Sequence, residues 1–264
     1  MKARIQAALA ALVLATAVIV GGFAAPAHAA LTYFYAGGRQ TYTTTGAGAN
    51  FGIGIPAITS GDFHSLFEIS VSTTDQNQAV EAGWTVDPGT YGDSHPHLLV
   101  SKWVNGAFGG YNDASWNDWA ANGLDRGADL SAYVGGAEKS ITIQYQGTGT
   151  TGWWVFFDGS PVGWFSSGLW TSPTFTQSGK VQLFGEVAAN VAAPCTNMGN
   201  SIYPNGLTYP AAGAPLRISN TTYADGTTNV NLTLFRTNSA YYETAFQPST
   251  SVRSMAIGGT GNAC

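Results

Sequence analysis

Short stretches in which apolar and polar side chains alternate recur along the chain, with turn residues between them. Ile141-Thr-Ile-Gln-Tyr-Gln146 and Val230-Asn-Leu-Thr-Leu-Phe235 change sides at every residue, the period of a strand with one buried face. The same reading predicts strands over 66–72, 79–86, 97–104, 140–146, 152–158, 161–166, 181–188, 215–219 and 228–235. Trp153-Trp-Val-Phe-Phe157 is apolar on both faces, as in a strand packed on both sides. Asp158-Gly-Ser-Pro161 is a turn signal, so 152–166 reads as a hairpin. Only 239–247 suggests a short helix. Many short strands and frequent turns predict an all-β fold, a sandwich or barrel, and no linker divides it.

The start of the chain departs from this pattern. Lys2 and Arg4 precede an apolar run from Ala8 to Phe23, and Ala27-His28-Ala29 is a small-x-small cleavage site. Residues 1–29 therefore read as a secretory signal, leaving 264 − 29 = 235 residues, 30–264, as one exported domain. That domain carries 8 basic and 15 acidic residues, a formal charge of −7. With no basic patch, nucleic acid and membrane surfaces are poor partners. The exported part is expected to be secreted and monomeric. Its two cysteines, Cys195 and Cys264, are expected to form one disulfide in an oxidising compartment. They do not make a zinc site, and His95 and His97 read as part of a surface turn rather than a ligand pair, so no metal is expected.

The candidate chemistry lies in carboxylates. The chain has five glutamates, Glu68, Glu81, Glu138, Glu186 and Glu243, a residue depleted in strands. Two sit in strand-like apolar runs, Val80-Glu-Ala-Gly-Trp84 and Leu183-Phe-Gly-Glu-Val187. Alternation puts Val80, Ala82, Trp84 and Val86 on one face and Ala79, Glu81, Gly83 and Thr85 on the other. It likewise sets Glu186 with Gln182 and Phe184, opposite Val181, Leu183 and Val187. A groove floor fits this pattern, and so does a solvated sheet face. No Gly-x-Ser-x-Gly elbow, phosphate loop or His-Glu-x-x-His helix is present.

An ordered series of short motifs resembles the neprosin family of secreted glutamic peptidases. It comprises Val80-Glu-Ala-Gly-Trp84, Tyr91-Gly-Asp93, Trp103 with Asn105-Gly106, Gly110-Tyr-Asn112, and Gly152-Trp-Trp154 with Val162-Gly-Trp164. Gly185-Glu-Val187, Asn197-Met-Gly199 and Pro204-x-Gly206 complete it. The resemblance implies a β-sandwich with a cleft across one sheet, cofactor-free hydrolysis of protein or peptide substrates, and Glu81 and Glu186 as catalytic residues. Trp84, Tyr91, Trp103 and Trp154 become candidates for the substrate-binding wall. Two departures stand out. Phe184 replaces the first glycine of the family's Gly-Gly-Glu-Val motif. Glu68 stands where many relatives carry glutamine, as a candidate to tune a neighbour's pKa or as a water-facing side chain.

Two carboxyls sharing a cleft cannot both ionise easily, so one can act as acid and the other as base in mildly acid solution. Cleavage next to proline rests on the resemblance alone. Two rival readings use the same features. A β-sandwich glycoside hydrolase also needs two carboxylates, and a carbohydrate-binding module would use the eight tryptophans with no chemistry at all.

Overall fold

The computed structural model describes residues 31–262, apart from 120–122, 206, 208, 210, 212 and 227–229. The expected signal segment and Cys264, one half of the expected disulfide, lie outside the described residues. The strands, in chain order, are β1 Thr32–Thr44, β2 Gly46–Phe51, β3 His64–Ser72, β4 Ala79–Val86 and β5 His97–Val104. There follow β6 Ala107–Phe108, β7 Trp116–Asp118, β8 Lys139–Gln146, β9 Gly152–Phe157 and β10 Ser160–Ser166. The last are β11 Ser178–Ala189, β12 Leu216–Tyr223, β13 Thr233–Arg236, β14 Glu243–Phe246 and β15 Met255–Gly258. No helix among the described residues is long and apolar enough to cross a membrane.

The strands form two antiparallel sheets. The first runs β13-β1-β11-β3-β4-β5-β6, and the second runs β14-β15-β12-β2-β8-β9-β10-β7. Alternation decides which side chains lie between them. Phe67, Ile69 and Val71 of β3, Val80, Ala82, Trp84 and Val86 of β4, and Val181, Leu183 and Val187 of β11 point inward. They join Phe51, Ile141, Ile143, Trp153, Val155 and Ile218 of the second sheet in one apolar cluster. Burying such side chains stabilises the fold by about 1.5–3 kcal/mol each. The other face of β3, β4 and β11 is left for the site.

The expected hairpin is met for the anticipated reason. The 152–166 hairpin turns at Asp158 and Gly159, with φ of 48° and 76°, the left-handed pair that matches strand twist. Asp87-Pro-Gly-Thr90 becomes a one-turn helix, α1 (Pro88–Tyr91), where Asp87 Oδ1 accepts from the Thr90 amide at 2.9 Å. Elsewhere the pattern misled. The expected helix over 239–247 is instead a turn followed by strand β14, where tertiary pairing with β15 decides. β1 and β2 were not anticipated. Glycine is depleted in strands, but here Gly37 lets the backbone approach β11: a Cβ on Gly37 would lie 2.2 Å from the Leu183 carbonyl oxygen.

Candidate active site

The outward face of the first sheet forms the floor of a cleft of about 500 Å³. Its central row crosses β5, β4, β3, β11, β1 and β13 as Leu99, Gly83, Glu68, Phe184, Gly37 and Phe235. Two residues along the strands to one side, Ser101, Glu81, Ser70, Gln182, Arg39 and Thr233 stand in register. To the other side, Thr85, Leu66, Glu186 and Tyr35 stand in register. Glu81, Glu68 and Glu186 therefore form a diagonal over three adjacent strands, with Glu68 in the middle. Each diagonal step on a sheet spans about 7–8 Å between Cα atoms. All three glutamates line the cleft.

Their environments differ. Glu81 Oε2 accepts from Ser101 Oγ at 2.8 Å and from Trp103 Nε1 at 3.0 Å. Burial pushes the Glu81 carboxyl above the usual range; bonds from Ser101, Trp103 and Ser70 partly oppose that, and the Glu186 charge adds to it. Glu68 is 3% exposed, among Leu99, Phe184 and Gly83. Burial, then the charges of Glu81 and Glu186, raise its pKa well above the ordinary value. Its Oε2 has no hydrogen-bond partner in the protein. A carboxyl so placed keeps its proton to a higher pH than a free glutamate.

Glu186 has different neighbours. His64 Nε2 lies 2.8 Å from Glu186 Oε1, with both residues buried. Tyr35 stands opposite Glu186 across β1 and β11, and its ionisation is pushed up by burial and then by the Glu186 charge. Tyr111 leans in, its hydroxyl 3.4 Å from His64 Nε2. Sequence reasoning missed His64, Tyr35 and Tyr111. Extending the β3 alternation two residues upstream of Leu66 would have put His64 on the face of Glu68. Tyr35 and Tyr111 come from a strand and a loop that only the folded register brings to Glu186.

Of the four aromatics expected to form the cleft wall, the structure brings one there. Trp103 lines the cleft and holds Glu81. Trp84 is 0% exposed; it packs on Phe67 and donates from Nε1 to the Gly52 carbonyl at 3.0 Å, because it occupies the core face of β4. Tyr91 ends α1 and stacks on His97 with ring centroids 4.0 Å apart, away from the cleft. Trp154 lies on the second sheet, stacked on Trp164 at 4.7 Å, so it cannot meet a ligand over the first sheet. His97 is bound to Asp93 and His95 to Asp129, each at 2.9 Å, and neither lines the cleft. Phe184 does enter the cleft floor, with Leu66, Leu99, Tyr35 and Phe235. Among the described residues no group of His, Cys, Asp and Glu is arranged to hold a metal ion.

The neprosin family model matches residues 61–260, a span that contains the three glutamates, His64, Trp103 and Tyr111. The chain belongs to the neprosin family. Among solved structures it is similar to scytalido-glutamic peptidase with a peptide-based transition-state analogue, at 8% identity and a TM-score of 0.45, covering 87% of this chain and 99% of that one. SCP-B, a member of the eqolisin family in complex with the tripeptide Ala-Ile-His, matches over the same shares at 8% identity and a TM-score of 0.43. The carbohydrate-binding module CBM66 from Bacillus subtilis is similar at 14% identity and a TM-score of 0.29, over 61% of this chain and 75% of that one.

Proposed function

We propose that the protein is a secreted, acid-acting glutamic endopeptidase that hydrolyses peptide bonds in the cleft of the first sheet. The observation that carries this reading is the glutamate diagonal: Glu81 and Glu186 open into one cleft, in environments that differ in kind. Glu186 is the base. The imidazole of His64 meets its Oε1 and Tyr35 stands beside it, so one oxygen is oriented by His64 and the other can take a proton from water. Glu81 is the acid, kept protonated further into the pH range by burial. It donates to the scissile carbonyl oxygen or to the leaving nitrogen. Glu68 stays neutral between them and limits the negative charge of the cleft. Bond cleavage thus needs one water, with one proton taken up and one given back.

The floor supports an extended peptide. Six strands set a polar row from Ser101 to Thr233 beside a central row that mixes Glu68 with Leu99, Phe184 and Phe235, and Trp103, Phe108, Tyr111 and Phe235 line the cleft. Cleavage next to proline rests on the family resemblance alone, and Phe184 fills space at the cleft floor. Digestion of a denatured protein, set against a polysaccharide panel, tests the reading. Peptide products formed at acid pH, and lost in Glu81→Gln and Glu186→Gln proteins, are expected. Polysaccharide breakdown, or wild-type rates in both variants, would overturn it.

A further inference from the structure

The exported part of the chain has nearly two acidic residues for each basic one, so its cations have partners to spare. Among the described residues, Lys102, Lys139, Arg217 and Arg236 pair with Asp113, Asp158, Glu138 and Glu243 at 2.6–3.2 Å. Arg126 lies 3.8 Å from Asp118, and Arg253 donates to the Thr221 carbonyl. Arg253, Arg39 and Lys180 form no ion pair among the described residues, and of these Arg39 and Lys180 also lack a side-chain hydrogen bond and are placed side by side. Arg39 pairs with Gln182 across β1 and β11, and Lys180 pairs with Thr41, so the two cations are diagonal neighbours on the cleft face. Both line the catalytic cleft and also a hollow of about 410 Å³ that continues from it. Like charges this close raise each other's energy. Burial and the Arg39 charge hold the Lys180 ammonium below its usual range.

Two further details suit a ligand. The Arg39 guanidinium lies 5.2 Å from the centre of the Phe235 ring. Stacking fixes its plane and leaves its N–H groups free to meet an acceptor. Beside it, the buried Gln182 Oε1 has no hydrogen-bond partner in the protein and can accept from a backbone N–H. A cation pair next to a lone amide acceptor matches a peptide segment that carries a carboxylate. The row from Glu81 to Arg39 crosses three strand spacings, about 14 Å, or about four residues of extended chain.

We infer that Arg39 and Lys180 form a specificity subsite for a substrate carboxylate, two to four residues from the scissile bond. The inference rests on the peptidase reading for its substrate. The carboxylate belongs either to an aspartate or glutamate side chain or to the free end of the chain; both are ionised at pH 5.

The test uses a neutral fluorogenic peptide in which aspartate replaces asparagine at one position at a time on either side of the scissile bond. A parallel pair differs only in a free or amidated C-terminus. Hydrolysis by the wild-type protein and binding to the Glu186→Gln protein, followed by fluorescence anisotropy at pH 5, are read side by side. The carboxylate member of a pair is expected to win by about tenfold in both readouts. The ratio should collapse towards one in the Arg39→Gln/Lys180→Gln protein and reverse in Arg39→Glu, whichever way the absolute rates move. Discrimination confined to aspartate/asparagine pairs assigns the subsite to side chains; discrimination confined to the terminal pair assigns it to chain ends. Equal binding within every pair overturns the inference, even if hydrolysis proceeds. Discrimination in binding without any hydrolysis upholds the subsite and overturns the peptidase reading instead. A variant that fails to fold leaves the wild-type comparison of peptides to decide.

Discussion

His64 Nε2 and Glu186 Oε1 meet at 2.8 Å inside a site where both residues are buried. The contact joins two residues 122 positions apart in sequence, through the pairing of β3 with β11. Hydrogen bonds to charged groups contribute about 1.5–3 kcal/mol. His64→Leu is therefore expected to lower kcat by about 10- to 100-fold, with less effect on KM. His64→Gln, which keeps a donor, should recover part of the loss. Equal kcat values in wild type and His64→Leu would show that the imidazole does not orient the base.

Glu81→Gln and Glu186→Gln preserve shape and remove titration. Each is expected to cost about 10²–10⁴-fold in turnover, and the double variant should be little worse than either single one, because the residues act together. Circular dichroism of the three proteins should match the wild type. Additive losses would argue that the two carboxyls work in separate steps.

Trp103 offers a way to move the pH profile. Its indole N–H holds the Glu81 carboxylate and so pulls the Glu81 pKa down. Trp103→Phe should raise that pKa further, and the fall of activity on the alkaline side should shift to higher pH. An unshifted profile of kcat against pH would separate Glu81 from the acid role.

Glu68 should make stability depend on pH. Its native pKa is raised above 4.5, so the native state keeps a proton that the unfolded chain has already released. That contribution is whole below the ordinary glutamate value and is lost as pH climbs through the raised one. Melting temperature should therefore fall as pH rises from about 4.5 towards neutrality, and Glu68→Gln should flatten that decline. Calorimetry across this range would reveal an unchanged slope if Glu68 is not the group responsible.

Trp84→Ala should destabilise the fold by about 3–5 kcal/mol, as expected for a large aromatic removed from a core. Urea unfolding measures it, and a change below about 1 kcal/mol would contradict the packing described.

Much of this was legible in the sequence where side-chain alternation was strong. The β3, β4 and β11 segments announced both their strand character and the face carrying Glu68, Glu81 and Glu186. The same alternation placed Trp84 opposite Glu81, against its use as a cleft wall; the family motif pulled the other way. What stayed hidden depends on which strands become neighbours. No local pattern says that β11 lies between β1 and β3, and with it the contacts of Glu186 with Tyr35 and His64 stay out of sight. β14 was misread because a four-residue strand whose register is set by β15 has too little periodicity of its own. β1 was missed because its glycines, unfavourable in an isolated strand, are needed only once β11 packs beside it.

Odd and even positions of β4 answer to different demands. Ala79, Glu81 and Gly83 stand on the cleft face, whereas Val80, Ala82 and Trp84 face the interior. Substitutions on the first set can therefore accumulate without taxing the core, so the cleft surface can change while the scaffold stays the same. An insertion of one residue would exchange the sets, placing tryptophan in the cleft and a carboxylate among hydrocarbons. Such a chain is open to point substitution at its working surface and closed to a change of length within those strands.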